Sequence, residues 1–193
     1  MSARRSARGP EFVEQTLAGA VAVVSGSTFE RCRFEKCMLQ SADLSRCRFV
    51  ECRFEGANLA AARVTDCELR DVAFVGSKLT GIDWTAATRF LRVSFDDCVL
   101  DQSAFLGMKL RGAAMSRCRL RGVVFAEADL TEADLRGSDL TGAQFGRTKL
   151  ARADLRGATG YAIHPGENDV KGLRVGWPEG LSLLDALGVD LEV

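Results

Sequence analysis

Residues 128–142 read ADLTEADLRGSDLTG, three successive five-residue units in which a small residue, an aspartate and a leucine precede two further positions. The same spacing of apolar residues extends in both directions along the chain. One in-phase series runs from Phe29 to Trp84 and a second runs from Phe95 to Leu155, and every position of both series is apolar. We call these positions the centres.

The residue two before each centre is the second periodic signal, because it is small or apolar and never charged. An α-helix would need a period of 3.6 and a single strand a period of 2, so neither fits. A period of five with two buried positions needs a chain that turns once per unit. Glycine recurs two residues after the centres, where a corner can use a positive φ. The sequence therefore predicts an all-β solenoid in which each unit is stable only against its neighbours.

Tandem Ala-(Asp/Asn)-Leu-x-Gly units resemble the pentapeptide repeat proteins, and residues 128–142 and 153–157 hold the best copies. The resemblance implies a right-handed quadrilateral β-helix with four units per coil, followed here by a short C-terminal helix. Residues 20 apart then stack on one face. This stacking predicts two core ladders of phenylalanine, namely Phe34, Phe54, Phe74 and Phe105, Phe125, Phe145.

The two series divide the chain. We expect an N-terminal tail and cap over 1–24, a first repeat block over 25–84, an irregular connection over 85–94, a second block over 95–157, and a C-terminal cap, helix and dimerisation segment over 158–193. Eleven residues separate the two series where ten would keep the register, so one residue is inserted in the connection. A bulge or kink is expected there. Whether it is a contact loop or an irregular coil without a role stays open.

The segment from Pro178 to Gly188 predicts a short helix, since proline favours the first turn and glycine the position after the end. It carries an apolar stripe that a solenoid end needs to bury, and the chain after it alternates like a strand. We therefore expect a symmetric homodimer through the C-terminal ends. Its predicted interface residues are Leu181, Leu184, Leu187, Val189 and Leu191.

Nothing in the sequence indicates catalysis. All seven cysteines lie two residues before a centre, which predicts small core side chains and free thiols. The single His164 has no partner nucleophile or ligand set, so no enzyme, cofactor or metal site is expected. The 26 basic and 26 acidic residues balance, and no run of 18 apolar residues occurs. We expect a cytoplasmic protein without direct nucleic-acid or membrane binding.

Segments 160–173 and 178–189 resemble the tail of the topoisomerase-protecting pentapeptide proteins, the quinolone-resistance, albicidin-resistance and microcin B17-immunity proteins. The cysteine-rich opening 29–37 and the segment 81–85 resemble the albicidin-resistance type. The resemblance implies a non-enzymatic homodimer that binds DNA gyrase, or topoisomerase IV, by mimicking duplex DNA and protects it from poisons. The alternative is a pentapeptide scaffold with a different protein partner.

Mimicry of DNA calls for a local anionic surface. Stacking at 20-residue intervals places a set of aspartates on two adjacent faces of the C-terminal half, although several arginines interrupt them. A mixed, soluble surface remains the other interpretation. The gyrase-facing candidates are Asp96, Asp97, Asp101, Asp134, Asp139 and Asp154.

Overall fold

A computed structural model describes residues 9–189, and these residues form a parallel β-solenoid followed by a short helix. The strands are β1 (Glu11–Val13), β2 (Thr16–Ala20), β3 (Thr28–Glu30), β4 (Arg33–Met38), β5 (Arg48–Val50), β6 (Arg53–Glu55), β7 (Glu68–Arg70), β8 (Ala73–Val75), β9 (Arg89–Leu91), β10 (Ser94–Asp96) and β11 (Ala114–Ser116). The helix α1 (Ser182–Asp185) follows a 3₁₀ turn at Glu179–Leu181, and another 3₁₀ turn lies at Trp84–Ala86.

The coil has four faces of five residues each. The first face is the sheet β1-β3-β5-β7-β9, and the second face is the sheet β2-β4-β6-β8-β10-β11. The third face, which contains Leu39, and the fourth face, which contains Leu44, are held by isolated parallel bridges such as Met38 to Asn58 and Asp43 to Arg63. Both of these bridges join residues 20 apart, and so do the other bridges of these two faces except the two that cross the inserted residue. The predicted solenoid of four five-residue units per coil is therefore confirmed.

Aromatic rings form two long columns inside the rod. On the second face, the centroids of Phe34, Phe54, Phe74 and Phe95 follow one another at 4.2, 4.8 and 5.3 Å. On the fourth face, the centroids of Trp84, Phe105, Phe125 and Phe145 follow at 6.1, 5.6 and 5.7 Å. Each column thus spans the connection between the repeat blocks and is one ring longer than the ladder that the sequence indicated.

The solenoid begins earlier than the repeat pattern suggests. Strands β1 and β2, which lie inside the segment expected as a tail and cap, pair with β3 and β4. The pairing joins Glu11 to Thr28, an offset of 17 residues instead of 20. Phe12 stacks on Phe29 with centroids 4.8 Å apart, so the first coil extends the core despite its shorter connection.

The ladder also continues past Leu155. Bridges join Lys149 to Asp169 and Asp154 to Arg174, so the C-terminal segment adds most of another coil before the helix. The chain then forms the 3₁₀ turn and α1, which confirms the short C-terminal helix. Only Leu183 of α1 itself packs against the hydrophobic core.

The inserted residue is absorbed within a single coil. Strands β7 and β9 pair Glu68 with Arg89, an offset of 21 residues, and β8 and β10 keep the same offset. The backbone N–H groups of Thr88 and Arg89 both donate to the carbonyl of Cys67, at 3.0 and 3.4 Å. Thr88 is therefore the extra residue. The offset returns to 20 at the bridge between Val99 and Arg119.

Candidate interaction surfaces

The acidic candidates lie on two adjacent faces and the corner between them. Asp134 and Asp154 are bridged in register on the second face, which also carries Asp96. Asp101 and Asp139 lie on the third face, one on either side of the coil that carries Arg119 and Arg121. Asp97 occupies the corner with a φ of 53°.

Arginine neutralises most of this acidic set. Within residues 9–189, Asp97 alone of the six makes no salt bridge. The five pairs are Asp96 with Arg117, Asp101 with Arg119 (2.7 Å), Asp134 with Arg136 (2.7 Å), Asp139 with Arg121 (2.6 Å) and Asp154 with Arg156 (2.6 Å). In the last pair the Asp154 side chain is 14% exposed and the Arg156 side chain 48% exposed. The surface therefore presents guanidinium groups above half-buried carboxylates rather than a continuous anionic stripe.

Hydrogen bonds hold three of these carboxylates in their charged form. The Arg156 side chain lowers the pKa of Asp154 to about 2. The Arg136 side chain lowers the pKa of Asp134, and the Thr141 hydroxyl lowers the pKa of Asp139. These three carboxylates are therefore ionised near neutral pH. Exposed pairs of this kind contribute only about 0–1 kcal/mol each to folding, so their main effect is on surface charge.

The C-terminal end carries an exposed apolar patch, which we define as Trp177, Leu184, Leu187 and Val189. Their exposed fractions are 81%, 37%, 54% and 43%. Three of these residues were predicted interface residues, Leu181 is half-buried, and Leu191 lies outside the described residues. Trp177 was not among the predicted interface residues, and it lies immediately before Pro178, where the predicted helical segment begins.

The cysteines belong to the core. All seven are free and buried, and the Cys37 thiol, for example, donates to the carbonyl of Leu17 at 3.1 Å. Burial raises the pKa of the Cys52 thiol to about 11. His164 is exposed, and its Nδ1 accepts a hydrogen bond from the backbone N–H of Gly166 at 3.1 Å. Across residues 9–189, no three His, Cys, Asp or Glu side chains are grouped so as to hold a metal ion.

The described helices include none with the length and apolar character needed to cross a bilayer.

Repeated parallel coils with a core of stacked side chains define a β-solenoid scaffold. Two family models match, one described as a pentapeptide repeat region over residues 27–89 and one as pentapeptide repeats in eight copies over residues 118–157. Together they cover just over half of the chain. The chain belongs to the pentapeptide repeat proteins.

Several solved structures are similar to this chain. Full-length QnrB1, described as a plasmid-mediated fluoroquinolone resistance protein, is 18% identical, with 93% of this chain and 100% of that chain covered and a TM-score of 0.42. HetL from the cyanobacterium Nostoc, described as involved in heterocyst differentiation regulation, is 18% identical, with 88% and 90% covered and a TM-score of 0.34. A thylakoid-lumen pentapeptide protein from Arabidopsis thaliana is 30% identical, with 52% and 56% covered and a TM-score of 0.19. Comparison with curated proteins gives no match.

Proposed function

We propose that this protein is a non-enzymatic resistance or immunity protein that binds DNA gyrase, or topoisomerase IV, and protects it from topoisomerase poisons. The resemblance of segments 160–173 and 178–189 to the topoisomerase-protecting group supports the proposal. The observation that carries it is the apolar patch, which lies in that same C-terminal region and is left exposed by a rod whose other apolar centres are mostly buried.

The apolar patch is the surface through which we propose that two copies join end to end. An exposed tryptophan and three exposed aliphatic residues lie within 13 positions of the chain, and this concentration of exposed apolar side chains supports the proposal of an association surface. Burying the exposed part of Trp177, roughly 150–200 Å², would contribute about 4–5 kcal/mol per protomer before the cost of association is subtracted. A two-fold axis through the patch would double the length of the rod.

The charge on the rod limits how it could mimic DNA. Duplex DNA carries about one negative charge per 1.7 Å of its axis, whereas five of the six aspartate candidates are paired with arginine. In our proposal, mimicry therefore depends on the rod shape and on carboxylates that gyrase arginines or lysines could recruit from these pairs. The same charge compensation favours the second candidate function, a scaffold for a different protein partner.

A gyrase supercoiling assay in the presence of a fluoroquinolone tests the proposal. We expect the protein to restore supercoiling, and we expect Trp177→Ala to weaken both protection and dimerisation measured by light scattering. Leu106→Ala is the matched control, because Leu106 is 51% exposed on the fourth face, away from the C-terminal end. No protection at any concentration against fluoroquinolones, albicidin or microcin B17 would reject the gyrase proposal.

The charge contribution needs a separate variant. The double substitution Asp134→Asn with Asp154→Asn removes two in-register carboxylates on the second face and should reduce protection if they contact gyrase. Unchanged protection would refute acidic mimicry at this face while leaving gyrase binding intact. Recovery of another protein and no gyrase in a pull-down would instead support the scaffold alternative.

A further inference from the structure

The first face is open at one level of the rod, between β9 and residues 109–111. The sheet of the first face ends at β9, and the next bridge on this face joins Lys109 to Asp129. In the adjoining coils, the equivalent corner N–H groups are bonded: Asp71 N–H to Leu91 at 3.0 Å and Gly112 N–H to Thr131 at 2.8 Å. The ladder is thus interrupted once and then resumes.

Three backbone N–H groups lose their ladder partners at this opening. Those of Arg92 and Lys109 donate to no backbone carbonyl within residues 9–189, and that of Phe90 donates to none outside the pairing of β7 with β9. Arg92 and Lys109 are exposed and Phe90 is half-buried, so water or a ligand that accepts hydrogen bonds can reach these N–H groups from the groove.

The opening is confined to one side of the rod. Across the same two coils, the second face is closed by β10 and β11, the third by the bridge from Val99 to Arg119, and the fourth by the bridge from Ala104 to Val124. The inserted Thr88 immediately precedes β9. The opening is therefore local to the coil that carries the insertion and is not a general separation of the coils.

A groove of about 270 Å³ fills the opening, with Phe90 and Leu110 among its apolar lining and three cationic side chains beside them. Arg92 is ion-paired with Asp71, and Arg111 is ion-paired with Glu132 at 2.8 Å. Lys109, by contrast, has no carboxylate within ion-pair distance in the part of the chain described here. The volume is equivalent to that of roughly nine water molecules, which is ample for one oxyanion group.

We propose that this groove binds an oxyanion, a phosphate or carboxylate group of a small ligand. Oriented backbone N–H groups beside cations are a recurrent way to hold such groups, and Lys109 supplies a charge that no neighbouring carboxylate neutralises. The site lies on the first face and is cationic, so it is distinct from the acidic candidates on the second and third faces. It does not depend on gyrase binding.

Amide NMR of the full-length protein at constant ionic strength tests the site, with inorganic phosphate and citrate as separate probes. We expect saturable shifts concentrated at the amides of Phe90, Arg92 and Lys109. Lys109→Ala should weaken binding by at least about tenfold. Lys149→Ala is the matched control: Lys149 has the same register two coils further on, where its N–H is bonded to Ala128 at 2.9 Å, and binding should be unchanged.

Deleting Thr88 supplies a second test, because it restores the 20-residue offset and should close the groove and abolish binding. Saturation by phosphate alone or citrate alone would support the site and identify the group that it prefers. No saturable shift with either probe, equal weakening by the two lysine variants, or full binding after deletion of Thr88 would overturn the proposal. If the deletion variant fails to fold, the comparison of Lys109→Ala with Lys149→Ala decides.

Discussion

Replacing Phe54 with alanine should destabilise the rod by about 4–5 kcal/mol, the upper part of the range for buried phenylalanine truncations. Phe54 is 1% exposed and lies inside the second-face column. Its ring is stacked on Phe34 at 4.2 Å and on Phe74 at 4.8 Å, and it meets Phe49 edge-on at 5.5 Å. The substitution therefore removes three aromatic pairs and leaves a cavity between two coils.

Three components set the size of this effect. Truncation of a buried phenylalanine typically costs about 3–5 kcal/mol in transfer and cavity free energy. Each aromatic pair contributes about 0.5–1.5 kcal/mol beyond buried area, and part of that contribution is already included in such measurements. Parallel backbone ladders above and below restrict collapse of the cavity, which favours the upper end of the range.

Urea unfolding followed by far-UV circular dichroism measures the change. The matched control is Phe12→Ala, which truncates a half-buried ring at the end of a column with one stacked neighbour, Phe29 at 4.8 Å. This control should cost only about 1–2 kcal/mol. Because solenoids can unfold in parts, hydrogen exchange of individual coils should accompany the measurement. Equal losses of unfolding free energy in the two variants, or a loss below about 1.5 kcal/mol for Phe54→Ala, would refute the reasoning.

Three further outcomes follow from the core, the ion pairs and the corners. Burial raises the pKa of the Cys52 thiol to about 11, so roughly one thousandth of it is ionised at pH 8. Because all seven cysteines are free and buried, the native protein should resist a thiol reagent that labels all seven in denaturant. Rapid labelling of the native protein would contradict this prediction. The pKa of Asp154 lies below its unfolded value of 3.8, so its pair with Arg156 stabilises the fold above that pH, and the stabilisation is lost as pH falls through about 2. Asp154→Asn should therefore reduce the change of melting temperature with pH between pH 3.8 and pH 2. An unchanged pH profile of the melting temperature would count against the pair. Gly142 has a φ of 69°, and an added Cβ would lie 3.9 Å from its nearest neighbour, Gly122, without a clash. Gly142→Ala should therefore lower the free energy of unfolding by about 1 kcal/mol through backbone strain alone. An unchanged free energy of unfolding would contradict this explanation.

The five-residue period predicts most of the core because each unit repeats the same two buried positions. It misses the first coil for a definite reason: counting back by fives from Phe29 reaches Val24 and Gly19, whereas the centres used are Phe12 and Leu17. The shorter connection between β2 and β3 shifts the register by three residues. No local signal in the sequence reveals that shift before the pairing partners are known.

The coil also continues beyond Leu155, where the apolar pattern in the sequence ends. Val170 and Val175 are in phase with Leu155, but Gly160 and Pro165 occupy the two centre positions between Leu155 and Val170. Backbone bridges preserve the coil where side-chain identity no longer does.

The acidic candidates illustrate what the sequence can and cannot determine about a surface. Counting by 20 places Asp134 and Asp154 in one column, because strand stacking fixes backbone position. It does not fix the direction of a long arginine side chain, which can reach its own coil, as Arg136 does, or an adjacent coil, as Arg119 does. Charge compensation therefore emerges only from the assembled structure.

The coil that accommodates Thr88 regains the 20-residue spacing by Val99, so an error in register does not propagate along the stack. A lineage that gains or loses a complete coil would change the rod length in steps of about 4.8 Å and keep every column aligned. A gain of one residue instead changes a single face of a single coil. Length and local surface can therefore evolve separately in this architecture, the first through duplication of whole coils and the second through small insertions.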